Sequence, residues 1–455
     1  MSRDPVLGLI GQTPLVQLTR IDTGPCQLFV KMESHNPGGS IKDRIALTMI
    51  EAAERDGRLQ PGGVIIEATA GNTGLGLALV AARKGYKLKL IVPDKMSQEK
   101  IQHLKALGAE VILTRSDVAK GHPLYYQDYA RRVADETPGA FYIDQFNNPA
   151  NPLAHELSTG PEIWQQVEHE LDAVVVGVGS AGTLTGLSRF FRRAAPTVEF
   201  VLADPVGSVL ADYVEKGEYG EAGSWRVEGI GEDFIPPMAD FSQVRHAYRI
   251  SDEESIETAR ALLSEEGILA GSSSGALVAA ALRYCRAQTT PKRVVTFVCD
   301  SGNKYLSKQF NEGWLIDQGL RQLPRRGDLT DLITRRHDLG ATITARPDES
   351  LADVYARMRR HDVSQLPVLE GDDQIVGLID EWDVLLAVHD EPEHFRLPVR
   401  NAMSTELETL SPADSIEKLL RTFNEGHVAI VVDGGRFLGL ITEADLVNHW
   451  RQRWR

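Results

Sequence analysis

Residues Asp172 to Ala194 read "DAVVVGVGSAGTLTGLSRFFRRA", and the fold class turns on them. Ala173 to Val176 form an unbroken apolar run with no polar alternation, the signature of a strand buried on both faces. Glycines then break the run, and "TLTGLSRFFRRA" continues as an amphipathic helix. The same alternation flanks it on both sides. "GVIIEA" precedes "GLGLALVAARKGY", "KLKLIVP" precedes "SQEKIQHLKALGA", and "EVILT" follows. Further on come "EFVLADP", "DEESIETARALLSEEG", "GALVAAALRYCRA" and "RVVTFVC". Short glycine-bounded strands alternating with helices predict an α/β protein with mostly parallel sheets. Strand clusters near 64–113 and 173–204 predict two sheets, hence two lobes with a crevice, and ligands in such folds sit at the carboxyl ends of the strands.

The chain has 455 residues, enough for two or three domains, and a net charge of −15, which argues against a nucleic-acid or anionic-membrane surface. Cys26, Cys285 and Cys299 are too few and too scattered for a disulfide framework or a zinc site, and no metal is expected. Cys26 lies in a polar loop and is expected to be exposed; Cys299 ends an apolar run and is expected to be a buried structural residue. The opening "MSRDPVLGLIGQTPL" has no basic segment before an apolar one, and no run approaches membrane length. The expectation is a soluble cytoplasmic protein.

Composition changes at "LPRRGDLTDLITRRHD", a charged stretch read as a linker, and an internal repeat follows. Pro347, Gly377 and Asp383 of the first copy match Pro412, Gly439 and Asp445 of the second, a period of 62 to 65 residues. Each copy reads as helix, strand, turn, strand, helix, a unit too small to bury its apolar face alone.

Four polar turns carry the chemistry. "SHNPGGSIKDR", Ser34 to Arg44, places Ser40 as an N-cap and Lys42 in a first helical turn. A cation is disfavoured at that end of a helix dipole; the bland reading is a solvated lysine, the sharper one a neutral amine ready to attack a carbonyl. "EATAGNTGLG", Glu67 to Gly76, has small residues whose N–H groups can approach an anion. "GVGSAGTLTG", Gly177 to Gly186, contains G-x-G-x-x-G, with Asp204 ending the next strand. It fits a dinucleotide, which makes a nicotinamide enzyme a rival, and it fits a single phosphate equally well. In "AGSSSGALV", Ser272, Ser273 and Ser274 open a helix, either as caps or with one hydroxyl facing a ligand.

A lysine nucleophile, an anion turn, a phosphate-sized turn and a hydroxyl describe a pyridoxal phosphate site. "NPGGSIKDR", "TAGNTG", "GSAGT" and "GSSSG", in this order, resemble the cystathionine β-synthase and cysteine synthase family of fold type II pyridoxal phosphate enzymes, over about residues 5 to 320. The C-terminal repeat resembles a tandem of CBS domains, the Bateman module. The resemblance implies a two-lobed catalytic domain at 1–322, a linker at 323–334, and CBS domains at 335–390 and 396–455. It implies that Lys42 carries the cofactor and Asn72 bonds its ring hydroxyl. Gly179, Ser180, Ala181, Gly182 and Thr183 would cradle the phosphate, and Ser273 would meet the pyridine nitrogen. Thr69, Ala70, Gly71, Thr73 and Gln145 would hold an amino-acid carboxylate.

The activity so implied is β-replacement joining serine and homocysteine as cystathionine in a homodimer, with a cysteine synthase or hydrogen-sulfide-releasing activity as the alternative. Two residues depart from the animal enzymes of the family, which have tyrosines in place of Glu156 and Glu232. Glu232 is read as an acid beside the second-substrate channel, receiving the amino group of homocysteine. No haem is expected. Thr442 and Asp445 in "GLITEADL" match the ribose-binding positions of CBS domains, implying an adenosyl ligand such as S-adenosylmethionine; Asp380 stands in place of the hydroxyl in the first repeat.

Overall fold

A computed structural model describes residues 4–69, 71–94, 96, 98–115, 117–118, 121–321, 325–389 and 391–453, the side chains of 98, 99, 452 and 453 excepted. The chain divides into two compact units, Met1–Phe310 and Asn311–Arg455.

The first unit holds the two sheets. One has four parallel strands in the order Glu110–Thr114, Lys87–Pro93, Val64–Ala68, Ala140–Tyr142. The other has six, in the order Leu15–Gln17, Gln27–Lys31, Arg293–Phe297, Ala173–Gly177, Glu199–Pro205, Val244–Ile250. Only the first pair in that sheet is antiparallel. Val174, Val175 and Val176 are fully buried at its centre. Each such side chain contributes about 1.5–3 kcal/mol. The N-terminal strand Gln27–Lys31 pairs with Arg293–Phe297 from the far end of the unit, so the chain begins in one lobe, builds the other, and returns.

Helices Asn72–Lys84 and Gly182–Ala194 directly follow parallel strands. Lys42–Arg55, Asn72–Lys84, Gly182–Ala194 and Ser272–Arg286 all bring their N-terminal residues to one cavity between the lobes. Their exposed N–H groups and dipoles make that cavity favourable for an anion.

The second unit contains the repeat. Helix Leu351–His361, strands Gln365–Glu370 and Gln374–Asp380 and helix Glu381–Val388 form one copy; Ile416–Asn424, Ala429–Asp433, Arg436–Ile441 and Glu443–Arg453 form the other. Both strand pairs are antiparallel. Leu329, Leu332 and Ile333, inside the charged stretch read as a linker, are buried with Leu410, Leu419 and Ile441 and contribute to the core of the second copy. Among the described residues no helix is long and apolar enough to cross a membrane.

Candidate active site

Lys42 is the first residue of its helix and lines the cavity. Ser40 was expected as the N-cap; the structure puts Ile41 there, because the Ser40 backbone bridges to Asp300 and delays the helix by a residue. The Ser40 hydroxyl still accepts from the Lys42 N–H at 3.2 Å. The two glycines before it have distinct causes. Gly39 adopts a φ of 74°, and a Cβ on Gly38 would fall 2.5 Å from Asp43 Oδ1. Two residues on, Arg44 binds Glu33 and Glu162 at 2.7 Å each, and Lys31 joins Glu162 at 2.8 Å. This buried network fixes the helix whose first residue is the lysine. Burial lowers the Lys42 pKa, opposed by Cys299, Asp300 and Glu232, and so favours the neutral amine.

Asn72 opens the next helix and donates through Nδ2 to Asp300 Oδ2 at 2.8 Å, while Lys304 Nζ donates to its Oδ1 at 2.7 Å. Both side-chain termini are thereby oriented. Thr69, Gly71, Thr73 and Gln145 line the same wall, with the Thr73 hydroxyl donating to Gln145 Oε1 at 2.8 Å and the Gly71 N–H to Thr69 Oγ1 at 3.2 Å. Ala70, expected in this turn, lies outside the described residues.

The glycine turn forms the floor. Ala181 has a left-handed φ of 67°, which turns the chain from strand Ala173–Gly177 into helix Gly182–Ala194. A Cβ on Gly182 would lie 1.8 Å from Asn151 Oδ1, so only glycine fits. Gly179, Ser180, Ala181, Gly182 and Thr183 all line the cavity. Asp204, the acid a dinucleotide ribose would require, is buried outside it and accepts from the Ala211 N–H at 2.8 Å. That removes the main support for a nicotinamide site.

The three serines divide their work. Ser272 Oγ accepts from the Glu228 N–H at 3.1 Å, Ser274 Oγ accepts from the Cys299 N–H at 2.9 Å, and Ser273 faces the cavity. None caps the helix through its side chain. Cys26 departs from its expectation, and Cys299 meets its own only in part, being half-buried against the core. Cys26 is buried, its thiol directed at the Cys285 carbonyl, because its loop packs under the six-stranded sheet. Cys299 lines the cavity, because the apolar strand ends before it.

Glu232 also lines the cavity, which measures about 280 Å³. Desolvation, with Asp233 beside it, pushes its carboxyl up to about 8 against the pull of Lys42. A second cavity of about 470 Å³ shares Thr69, Gly71, Gln145, Phe146, Trp225 and Glu232 with the first and is walled further by Tyr125, Tyr126 and Phe234. Glu156 is not in either lining; it pairs with Arg193 at 2.7 Å. Asp300, Lys304 and Asn151 went unnoticed in the sequence, since each reaches the site from a segment without a glycine-rich turn. In the second unit Asp445 Oδ2 accepts from the Thr442 hydroxyl at 2.7 Å, and Oδ1 accepts from Thr334. Asp380 and Asp383 bond each other's N–H groups as a capping box, which accounts for the acid in the first repeat.

Residues 6–300 match the family described as pyridoxal-phosphate dependent enzyme, and 331–390 and 399–451 match the CBS domain. The chain belongs to that enzyme family, in its fold type II form, and carries a tandem of CBS domains. It is 36% identical to the cystathionine beta-synthase of Mus musculus over 94% of this chain and 77% of that one. It is 43% identical to cysteine synthase A of Escherichia coli (strain K12) over 69% of this chain and 97% of that one. A solved hydrogen sulfide-producing enzyme from Fusobacterium nucleatum, 37% identical, superposes with a TM-score of 0.62 over 67% of this chain and all of that one. The chain is a pyridoxal phosphate-dependent β-replacement enzyme of the cystathionine β-synthase and cysteine synthase family. Its residues fit the cofactor: a buried amine, a cradle that a single Cβ would fill, and converging helix N-termini for a phosphate.

Proposed function

We propose that this enzyme condenses L-serine with L-homocysteine, giving L-cystathionine and water. The observation that carries the reading is the second cavity, which shares Glu232 and five other wall residues with the first and, at about 470 Å³, has room for a thiol on an amino-acid frame. Sulfide would leave that space unused.

Bound pyridoxal phosphate supplies an electron sink for negative charge at the substrate Cα. Lys42 would carry it, and its freed, neutral Nζ takes the Cα proton and later returns one. Thr69, Gly71, Thr73 and Gln145 hold the serine carboxylate. Asn72, oriented by Asp300 and Lys304, meets the ring, and residues 179–183 hold the phosphate. Ser273 offers the ring nitrogen a neutral hydroxyl, a weaker electron sink than a carboxylate would maintain, so expulsion of the β-hydroxyl wins over transamination. Glu232 receives the ammonium group of homocysteine. In the C-terminal unit Thr442 and Asp445 bind the ribose of an adenosyl ligand.

The identity to cysteine synthase A favours a second reading, in which O-acetylserine and sulfide are the substrates. Comparing kcat/KM for serine plus homocysteine with that for O-acetylserine plus sulfide decides between them. The first pair should be preferred; a preference for the second overturns the proposal.

A further inference from the structure

Behind the glycine turn stand two polar side chains one helical turn apart. Asn151 and His155 are both about 1% exposed. Each reaches one hydroxyl of the turn. Asn151 Nδ2 bonds the Gln145 carbonyl at 2.8 Å, which fixes the amide orientation, since a carbonyl only accepts. Its second hydrogen goes to Ser180 Oγ at 3.0 Å. The Ser180 oxygen is therefore an acceptor at its back, and its own proton is free to point into the cavity. His155 lies between two hydroxyls, with Nδ1 2.9 Å from Thr159 Oγ1 and Nε2 3.3 Å from Thr183 Oγ1. A Cβ on Gly186 would fall 2.8 Å from His155 Cβ, so that glycine permits the approach of the imidazole to the turn.

Of the two tautomers, one puts the proton on Nδ1 and consumes the Thr183 proton at Nε2. The other receives the Thr159 proton at Nδ1, donates from Nε2 to Thr183, and leaves the Thr183 proton for a ligand. Only the second turns both hydroxyls of the turn outward as donors, matching what an anion requires. Burial, with Arg44 and Lys42 nearby, keeps the ring neutral, as either tautomer demands.

We propose that Asn151 and His155 are positioning residues that act from behind the turn, holding the Ser180 and Thr183 hydroxyls as proton donors to the cofactor phosphate. The inference rests on the pyridoxal phosphate reading of the cavity. The test is a double-mutant cycle on the full-length chain: wild type, His155→Leu, Thr183→Val and the double variant. Pyridoxal phosphate affinity is read by absorbance, and the bound phosphate by ³¹P NMR. Losing one hydrogen bond to a charged group should weaken cofactor binding on the order of tenfold in each single variant. The double variant should be no weaker than Thr183→Val alone, because His155 acts through that hydroxyl. His155→Gln, which retains a donor, should recover most of the affinity and the wild-type phosphorus shift. Additive losses in the double variant, or wild-type affinity in a folded His155→Leu, overturn the inference. A wild type that binds no pyridoxal phosphate instead overturns the cofactor reading, so the two failures are distinct.

Discussion

Glu232 and Lys42 line the same cavity, and burial drives their protonation toward neutrality from opposite sides, the carboxyl up to about 8 and the amine down. If Glu232 receives the ammonium group of homocysteine, the carboxylate must form first. KM for homocysteine should therefore fall as pH rises from about 7 to about 8.5. Glu232→Gln should abolish that slope and raise KM roughly tenfold at the alkaline end, leaving the serine half-reaction largely intact. Equal damage to both half-reactions would assign Glu232 to the fold instead.

Lys42→Ala should eliminate turnover and the visible absorbance of a covalently held cofactor, while the thermal transition stays close to wild type. The side chain sits at the cavity wall rather than in the packed core. A colourless protein that retains activity, or one that requires a nicotinamide cofactor, would refute the assignment.

Ser273 is the one serine of its triplet turned to the cavity. Ser273→Asp would place a carboxylate against the ring nitrogen, and β-replacement should drop roughly tenfold or more. Ser273→Ala should affect rate more than melting temperature. Wild-type turnover in Ser273→Asp shows that another group meets the ring.

Desolvation raises Asp43 to about 7, Glu67 to about 8 and Glu232 to about 8, from ordinary values of 3.8, 4.5 and 4.5. Between the unfolded and folded values the native protein holds protons that the unfolded chain has released. Stability should thus fall as pH rises from about 4 to about 8, with the full cost present above 8. Asp43 Oδ2 accepts from the Gly38 N–H and, among the described residues, Oδ1 has no hydrogen-bond partner, so Asp43→Asn keeps the bond and removes the charge. Melting temperature measured against pH should show a shallower decline in that variant; an unchanged slope excludes Asp43 as a source.

An adenosyl ligand at Thr442 and Asp445 has to displace the bonds that Asp445 makes to Thr442 and Thr334. Calorimetry with S-adenosylmethionine and with AMP should detect binding to the whole chain and none to Asp445→Ala. Activity of the whole chain beside one ending near Leu323 tests regulation, since a ligand shifts activity only by preferring one of two states. If neither ligand binds and truncation alters thermal stability alone, the module has no regulatory role.

Local chemistry along the chain dictates the alternation of strands and helices, the four turns and the C-terminal repeat. These depend on local causes: β-branched runs, left-handed glycines, and small residues where backbone approaches backbone or ligand. Lys42, Asn72, Thr183 and Ser273 were legible for the same reason, each standing in the first turn of a helix that follows such a segment. Tertiary structure alone decided that Gln27–Lys31 lies beside Arg293–Phe297, that Ser273 rather than its neighbours faces the cavity, and that Cys299 rather than Cys26 is at the site. It also decided that Asp300 and Lys304 orient Asn72, and that Asn151 and His155 back the glycine turn. The reason is physical: these side chains meet across long stretches of chain, so their hydrogen bonds and burial follow from how sheets and helices pack, which no local pattern records.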